Sequence, residues 1–234
     1  MSAPLPTPDD AEGRPVGRRA FLGIVGVGVS SLLWGGVATR WLSDASSALP
    51  SSLQSVVPGG TGWRIYSVNP PFPTYDPTTW RLTVDGLVER PRTFTMAQLQ
   101  ALPRADQTTD FHCVTGWSVP DVHWAGVRFA DLLAAVGVSP AAGAIEFASA
   151  EEPYVDSLTL EQARAPDAML AYEMDHGPIS REHGAPARLV VPQMYGYKGV
   201  KWVSRITLTA QASDGYWEQR GYDRDAYVGG SNGV

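Results

Sequence analysis

The sequence predicts a single α+β domain. Three observations point there: short strand-like and helix-like runs alternate in mixed order, no regular strand-helix repeat of the doubly wound kind is visible, and no repeat of 20 to 50 residues recurs. Trp80–Gly86 alternates apolar and polar residues and ends in a turn signal, as a half-buried strand does. Thr95 and Gln98 form a capping box that opens a short helix through Leu102, stopped by Pro103. The stretch from Ala105 to Asp110 is polar and reads as a loop, as does Pro120 to Trp124. Phe129, Leu132, Leu133 and Val136 recur at helical spacing, with Gly137 placed to end the helix. Ala144–Ser149, Ala168–Met174, Arg188–Pro192 and Trp202–Thr209 read as strands, the first two separated by a second capping box at Thr159 and Gln162.

Composition narrows the class of protein. The 234 residues are 44% hydrophobic and 18% charged, which excludes disorder and a multi-span membrane protein. The net charge is −6 and no basic run occurs, so nucleic acid is not an expected partner. A single cysteine, Cys113, excludes an intrachain disulfide. Only two lysines are present, Lys198 and Lys201, and arginine supplies every other positive side chain.

The first 45 residues read as a leader. Ala20 to Ala38 is a 19-residue run without charge, preceded by Arg14, Arg18 and Arg19; as a helix it would span roughly 28 Å, close to the hydrocarbon thickness. Arg18-Arg19-Ala-Phe-Leu22 resembles the core of a twin-arginine export signal. The arginine bias places residues 45–234 outside, so the expectation is an extracytoplasmic (periplasmic or cell-envelope) domain, exported or anchored at the membrane by this segment. Residues 46–62 read as a Ser/Pro/Gly linker, 63–228 as the working domain and 229–234 as a tail.

Two constellations carry chemistry. Cys113 lies in Phe111-His-Cys-Val-Thr-Gly-Trp117, between polar and turn-forming stretches that suggest a cleft edge. A redox pair is impossible with one cysteine, and no pairing of Cys113 with a histidine has zinc-motif spacing. A thiol nucleophile assisted by His112, His123, His176 or His183 stays open, as does a metal held by one thiolate with its other ligands supplied by a cofactor. The second constellation runs from His183 through Arg188 to Tyr195-Gly-Tyr-Lys-Gly-Val-Lys-Trp202. A glycine-rich loop between two strands, carrying both lysines, makes an anion-binding concavity of the kind that suits phosphate.

Together the segments resemble the sulfite oxidase-type molybdopterin oxidoreductases, in particular small bacterial members related to the periplasmic methionine sulfoxide reductase catalytic subunit. The resemblance rests on Cys113-Val-x-x-Trp117-Ser118, on His183-Gly-x-Pro-x-Arg188-Leu-Val-Val-Pro192, on Tyr195-Gly-x-Lys198-x-x-Lys201-Trp202 and on Gly215–Tyr222, and covers residues 63 to 225. It implies a mixed, β-rich sulfite oxidase-type fold and a molybdenum-molybdopterin cofactor. Cys113 would be the catalytic thiolate ligand of molybdenum. Asn69, Ser149, His183, Arg188, Lys198, Gly199, Val200 and Lys201 would contact the pterin and its phosphate. Trp117, Tyr195 and Tyr197 would wall the pocket. Sulfite oxidases of animals and plants place arginines just after the cysteine, whereas Val-Thr-Gly-Trp-Ser follows Cys113, so oxygen-atom transfer to or from a small substrate is expected, with sulfoxide reduction favoured over sulfite oxidation. Electrons would pass to or from a separate protein, such as a membrane haem protein. A Cys/His thiol hydrolase and a metal-free, membrane-tethered binding domain are the alternatives.

Overall fold

The computed structural model describes residues 62–230; the leader, nearly all of the linker and the last residues of the tail lie outside the described residues. Among the described residues, ten strands form two five-stranded assemblies. The first runs in the order β2 (Arg92–Phe94), β1 (Leu82–Gly86), β10 (Val203–Thr209), β5 (Ala144–Ser149), β6 (Val155–Thr159). The β1–β10 pair is parallel and the others are antiparallel, so the sheet is mixed. The second runs β3 (Arg104–His112), β4 (Ser118–Arg128), β7 (Met169–Met174), β8 (Gly177–Pro178), with β9 (Arg188–Val190) also paired to β7.

Both predicted capping boxes form. In α1 (Met96–Gln100) the Gln98 amide donates to Thr95 Oγ1 at 3.2 Å and the Thr95 amide donates to Gln98 Oε1 at 2.9 Å. In α3 (Leu160–Ala163) Thr159 and Gln162 do the same at 3.1 and 2.8 Å. Between them α2 (Phe129–Val136) buries the four residues that its spacing selects, Phe129, Leu132, Leu133 and Val136, and ends where the Gly137 amide reaches the Leu133 carbonyl. These side chains join Leu82, Val84, Phe147, Leu170 and Ile206 in the main core. A smaller cluster of Val122, Trp124, Met169, Ala171 and Val190 packs on the other side of β7, whose alternate residues therefore serve two cores. That is why the strand reads as an almost unbroken apolar run.

Two expectations fail, and they concern one feature. Ala105–Asp110 and Pro120–Trp124 are not loops; they lie within β3 and β4, which pair as the longest hairpin among the described residues. The residues of β3 alternate in exposure, but the more buried positions are Ala105, Gln107 and Thr109, so no apolar signal at period two reaches the sequence. Gln107 is accommodated by hydrogen bonds to the Asp167 carbonyl and from Arg128. Pro120 sits in a bulge, since the pairs Phe111–Val119 and Thr109–Val122 set two residues of β4 against one of β3. There β4 has not yet met β7, so the missing N–H costs no ladder bond.

Candidate active site

Cys113 opens the turn of the β3–β4 hairpin, at a cleft edge as its neighbours imply. His112 pairs with Ser118, so residues 113–117 close the hairpin, with the Cys113 amide bonded to the Trp117 carbonyl at 2.9 Å and the Gly116 amide to the Cys113 carbonyl at 3.0 Å. Gly116 takes φ +88°, a conformation that favours glycine. Sγ of Cys113 lies 3.2 Å from Thr115 Oγ1 and faces a cavity of about 510 Å³.

The second wall is the loop after β9. Leu189 donates its amide to the Val200 carbonyl at 2.8 Å, so the segment folds back on β9 through a single 3-10 turn, Gly196–Lys198. The two walls touch: a Cβ at Gly196 would stand 2.2 Å from Phe111 Cζ, so only glycine lets the loop lie against the strand that leads to Cys113. A third wall is the chain from Trp63 to Val68, whose Trp63 ring meets His183, Phe111 and Trp117.

Among the described residues, Arg188 and Lys201 in this cavity form no ion pair with a carboxylate. Arg188 is 3% exposed; Nη1 donates to the His183 carbonyl at 3.0 Å, while buried Nε has no partner. Its guanidinium lies 5.2 Å from the Trp124 ring centroid and 5.7 Å from that of Phe111. Burial lowers its pKa to about 10, which leaves it charged at neutral pH. Lys201 donates to the Tyr66 carbonyl at 2.6 Å, and burial, then Arg188, lower it to about 8. Burial, followed by the charges of Arg188 and Lys201, brings His183 down to about 4, so its imidazole is neutral at physiological pH. Glu151, a buried acid that lines the cavity, accepts from Ser67 Oγ and from the amides of Val68 and Asn69, which anchors the third wall.

Of the residues expected at the site, the structure brings Cys113, Ser149, His183, Arg188, Gly199 and Lys201 to this cavity, together with Trp117 and Tyr197. Ser149 does so with its hydroxyl already bonded to the Lys201 carbonyl. Asn69 is exposed and donates Nδ2 to the Glu152 carbonyl. Val200 is buried in the main core, and Tyr195 lies outside the cavity lining. Lys198 is also elsewhere: its ammonium is buried between Asp156 and Glu218, 2.6 Å from each. Glu151, Tyr154 and the Trp63–Val68 wall were not anticipated. Nothing local marks them, because they reach the cavity from segments without a motif.

A sequence profile, the oxidoreductase molybdopterin binding domain, matches residues 69–217. The chain belongs to that family. It is 40% identical over 147 residues to the uncharacterized oxidoreductase YuiH of Bacillus subtilis, covering 63% of this chain and 74% of YuiH. It is 31% identical to the putative protein-methionine-sulfoxide reductase subunit YedZ1 of Azospira oryzae, over 82% of this chain and 71% of that one. Sulfite oxidase of Arabidopsis thaliana is 32% identical over 65% of this chain, which covers 48% of the plant enzyme. The crystal structure of the sulfane dehydrogenase SoxCD from Paracoccus pantotrophus superposes with a TM-score of 0.55 at 29% identity, over 59% of this chain and 40% of that one. The protein is thus a molybdenum oxidoreductase with a sulfite oxidase-type fold, and the hydrolase and metal-free alternatives give way.

The residues present fit a molybdenum-molybdopterin cofactor. A thiol, soft once deprotonated, faces the cavity, and among the described residues no three His, Cys, Asp or Glu side chains gather into a metal site of their own, so a metal held by Cys113 would take its remaining ligands from the cofactor. The partnerless Nε of Arg188 and the ammonium of Lys201 suit a phosphate.

Proposed function

We propose that this is an exported oxidoreductase that moves an oxygen atom to or from a small substrate, reducing a sulfoxide in preference to oxidising sulfite, with electrons drawn from a separate partner such as a membrane haem protein. The observation that carries this reading is the Cys113 turn: Val114, Thr115, Gly116, Trp117 and Ser118 put no charge beside the thiol. A divalent sulfite anion gains nothing from such neighbours, whereas a neutral sulfoxide is at ease among aromatic rings. The likeness to the putative protein-methionine-sulfoxide reductase subunit YedZ1 over 82% of the chain supports the same choice. Export rests on the arginine-flanked run at residues 20–38.

Cys113, as the thiolate, would hold the metal, and Arg188 and Lys201 the phosphate, with neutral His183 and the Gly199 backbone against the pterin. When bound, the cofactor supplies a metal that exchanges two electrons and one oxygen atom with the substrate. In sulfoxide reduction the S=O bond breaks, two electrons and two protons are consumed, and a thioether and water leave. The packed rings of Trp63, Phe111 and Trp117 would help exclude water from the reacting side of the cavity. The full chain, purified from a host that makes the cofactor, is assayed with methionine sulfoxide, dimethyl sulfoxide and sulfite under dye couples. Faster turnover of the sulfoxides supports the proposal; faster sulfite oxidation overturns it. Cys113→Ser should lose both bound molybdenum and turnover, because a neutral hydroxyl is a poor substitute for a soft thiolate.

A further inference from the structure

Lys198 ends as one corner of a buried cluster that touches no part of the proposed chemistry. Its Nζ lies 2.6 Å from Asp156 Oδ1 and 2.6 Å from Glu218 Oε1, and the three side chains are at most 2% exposed. Two carboxylates thus share one ammonium, and the second oxygen of each, Asp156 Oδ2 and Glu218 Oε2, is buried without a hydrogen-bond partner. The backbone at residue 215 closes over them: a Cβ there would stand 2.7 Å from Glu218 Oε2 and 2.8 Å from Asp156 Cγ.

The corners belong to the three segments that carry the aromatic side of the cavity. Lys198 sits in the loop of Gly196, Tyr197 and Lys201; Asp156 follows Tyr154; Glu218 begins the 3-10 turn Glu218–Arg220, between Trp217 and Tyr222. Around the cluster the Tyr154 hydroxyl donates to the Tyr197 carbonyl, the Tyr216 amide donates to the Val155 carbonyl at 2.8 Å, and the Tyr154 and Tyr216 rings stack at 5.5 Å.

We propose that Lys198 is a positioning residue for the cofactor cavity, and that Lys198, Asp156 and Glu218 form a lock that holds one proton between its carboxylates and ties the cofactor loop to the C-terminal segment. The proposal rests on reading the cavity as the cofactor site. With one carboxyl protonated the cluster is neutral: one ammonium, one carboxylate, one carboxylic acid. When that proton passes to solvent, a net negative charge stays buried with the Lys198 ammonium and the Ser157 amide, 2.7 Å from Asp156 Oδ1, as its donors, and burial of an incompletely paired charge is costly. The other titratable groups that act on the cluster are the phenols of Tyr154 and Tyr197, which bring no charge, and the guanidinium of Arg224, which is exposed and paired with Asp214. Burial, only partly offset by Lys198, raises Asp156 to about 7, while Glu218 pushes in the same direction. Asp156 therefore binds its proton more tightly in the folded chain than in the unfolded one. The stability it gives is present at low pH and is lost as pH rises from about 4 to about 7.

The test compares full-length wild type with Asp156→Asn, whose amide keeps the shape and cannot ionise. Relative to the variant, the wild-type unfolding equilibrium constant from urea titration should rise by close to tenfold per pH unit in the middle of that window, the slope of one proton, and level off towards its upper end. Molybdenum retained after gel filtration should fall with pH in wild type and stay level in Asp156→Asn. Glu218→Gln should flatten both profiles as well, and it stands in if the first variant does not fold. Parallel pH profiles for wild type and variant would overturn the lock. Protein devoid of molybdenum at every pH would instead sink the cofactor reading, while the urea comparison would still decide the lock.

Discussion

Lys198 and Lys201 are three residues apart, yet their surroundings are electrostatic opposites. Around Lys198 two carboxylates converge on one ammonium in a dry pocket. Around Lys201 the strongest charge at work is Arg188, another cation, only partly opposed by Glu151, and among the described residues no carboxylate forms an ion pair with either cation. A cation matched within the chain belongs to the scaffold, whereas two buried cations left unmatched are completed by an anion from outside. On the proposed reading of the cavity, the two lysines divide the same glycine-rich loop into a part that is tied down and a part that would receive the cofactor.

The largest effect expected of this contrast is on stability. Lys198→Met strands two buried carboxylates and should cost about 3–5 kcal/mol in urea unfolding. Lys201→Met removes a cation that has no acid partner and keeps the stem packed on Trp202, whose ring lies 4.2 Å from the ammonium. It should cost no more than about 1 kcal/mol, the value of its hydrogen bond to the Tyr66 carbonyl. Equal costs would break the comparison.

The next effect reverses the order of the two lysines. Lys201→Met should lower molybdenum retention by about tenfold, through loss of one charge-assisted contact to phosphate. The pH dependence of the cofactor-free chain sharpens the point. Lys201 is lowered from its ordinary 10.5 to about 8, so between those values the unfolded chain binds a proton that the folded chain does not. Stability should therefore rise with pH across that interval, opposite in sign to the slope expected from Asp156, and the rise should vanish in Lys201→Met.

The sequence could not distinguish these lysines. The partners of Lys198 are 42 and 20 residues away in the chain, and spacing within a motif carries no trace of them. The pairing of Arg188 with Lys201, by contrast, follows from the strand and loop that hold them, and the position of Cys113 in a turn was legible from the Thr-Gly that follows it. Helices were readable because their caps are local, as at Thr95 and Thr159. The β3–β4 hairpin was not, since its inward positions Ala105, Gln107 and Thr109 are small or polar and gain burial through partners from other segments. The wall from Trp63 to Val68 was missed for a related reason: it carries no periodicity and is held by Glu151 and Lys201, far along the chain.

Asn69 provides the smallest and most discriminating test. The resemblance assigns it to the pterin, and it follows Ser67 and Val68, which do line the cavity. Its side chain, however, is exposed and donates to the Glu152 carbonyl at 2.8 Å, while its amide lies 3.4 Å from Glu151 Oε1. An exposed neutral hydrogen bond of this kind contributes about 0.5–1 kcal/mol, so Asn69→Ala should lower the urea stability by no more than that. The anchoring of the wall by Glu151 uses backbone amides and the Ser67 hydroxyl, none of which the substitution removes. Molybdenum retention should then stay within about twofold of wild type, since a change of that size in an equilibrium corresponds to well under 1 kcal/mol. A tenfold loss would move Asn69 to the side of Lys201, as a group whose partner is the cofactor. A small loss leaves it with Lys198, among the residues that hold the cavity walls in place without touching what they enclose.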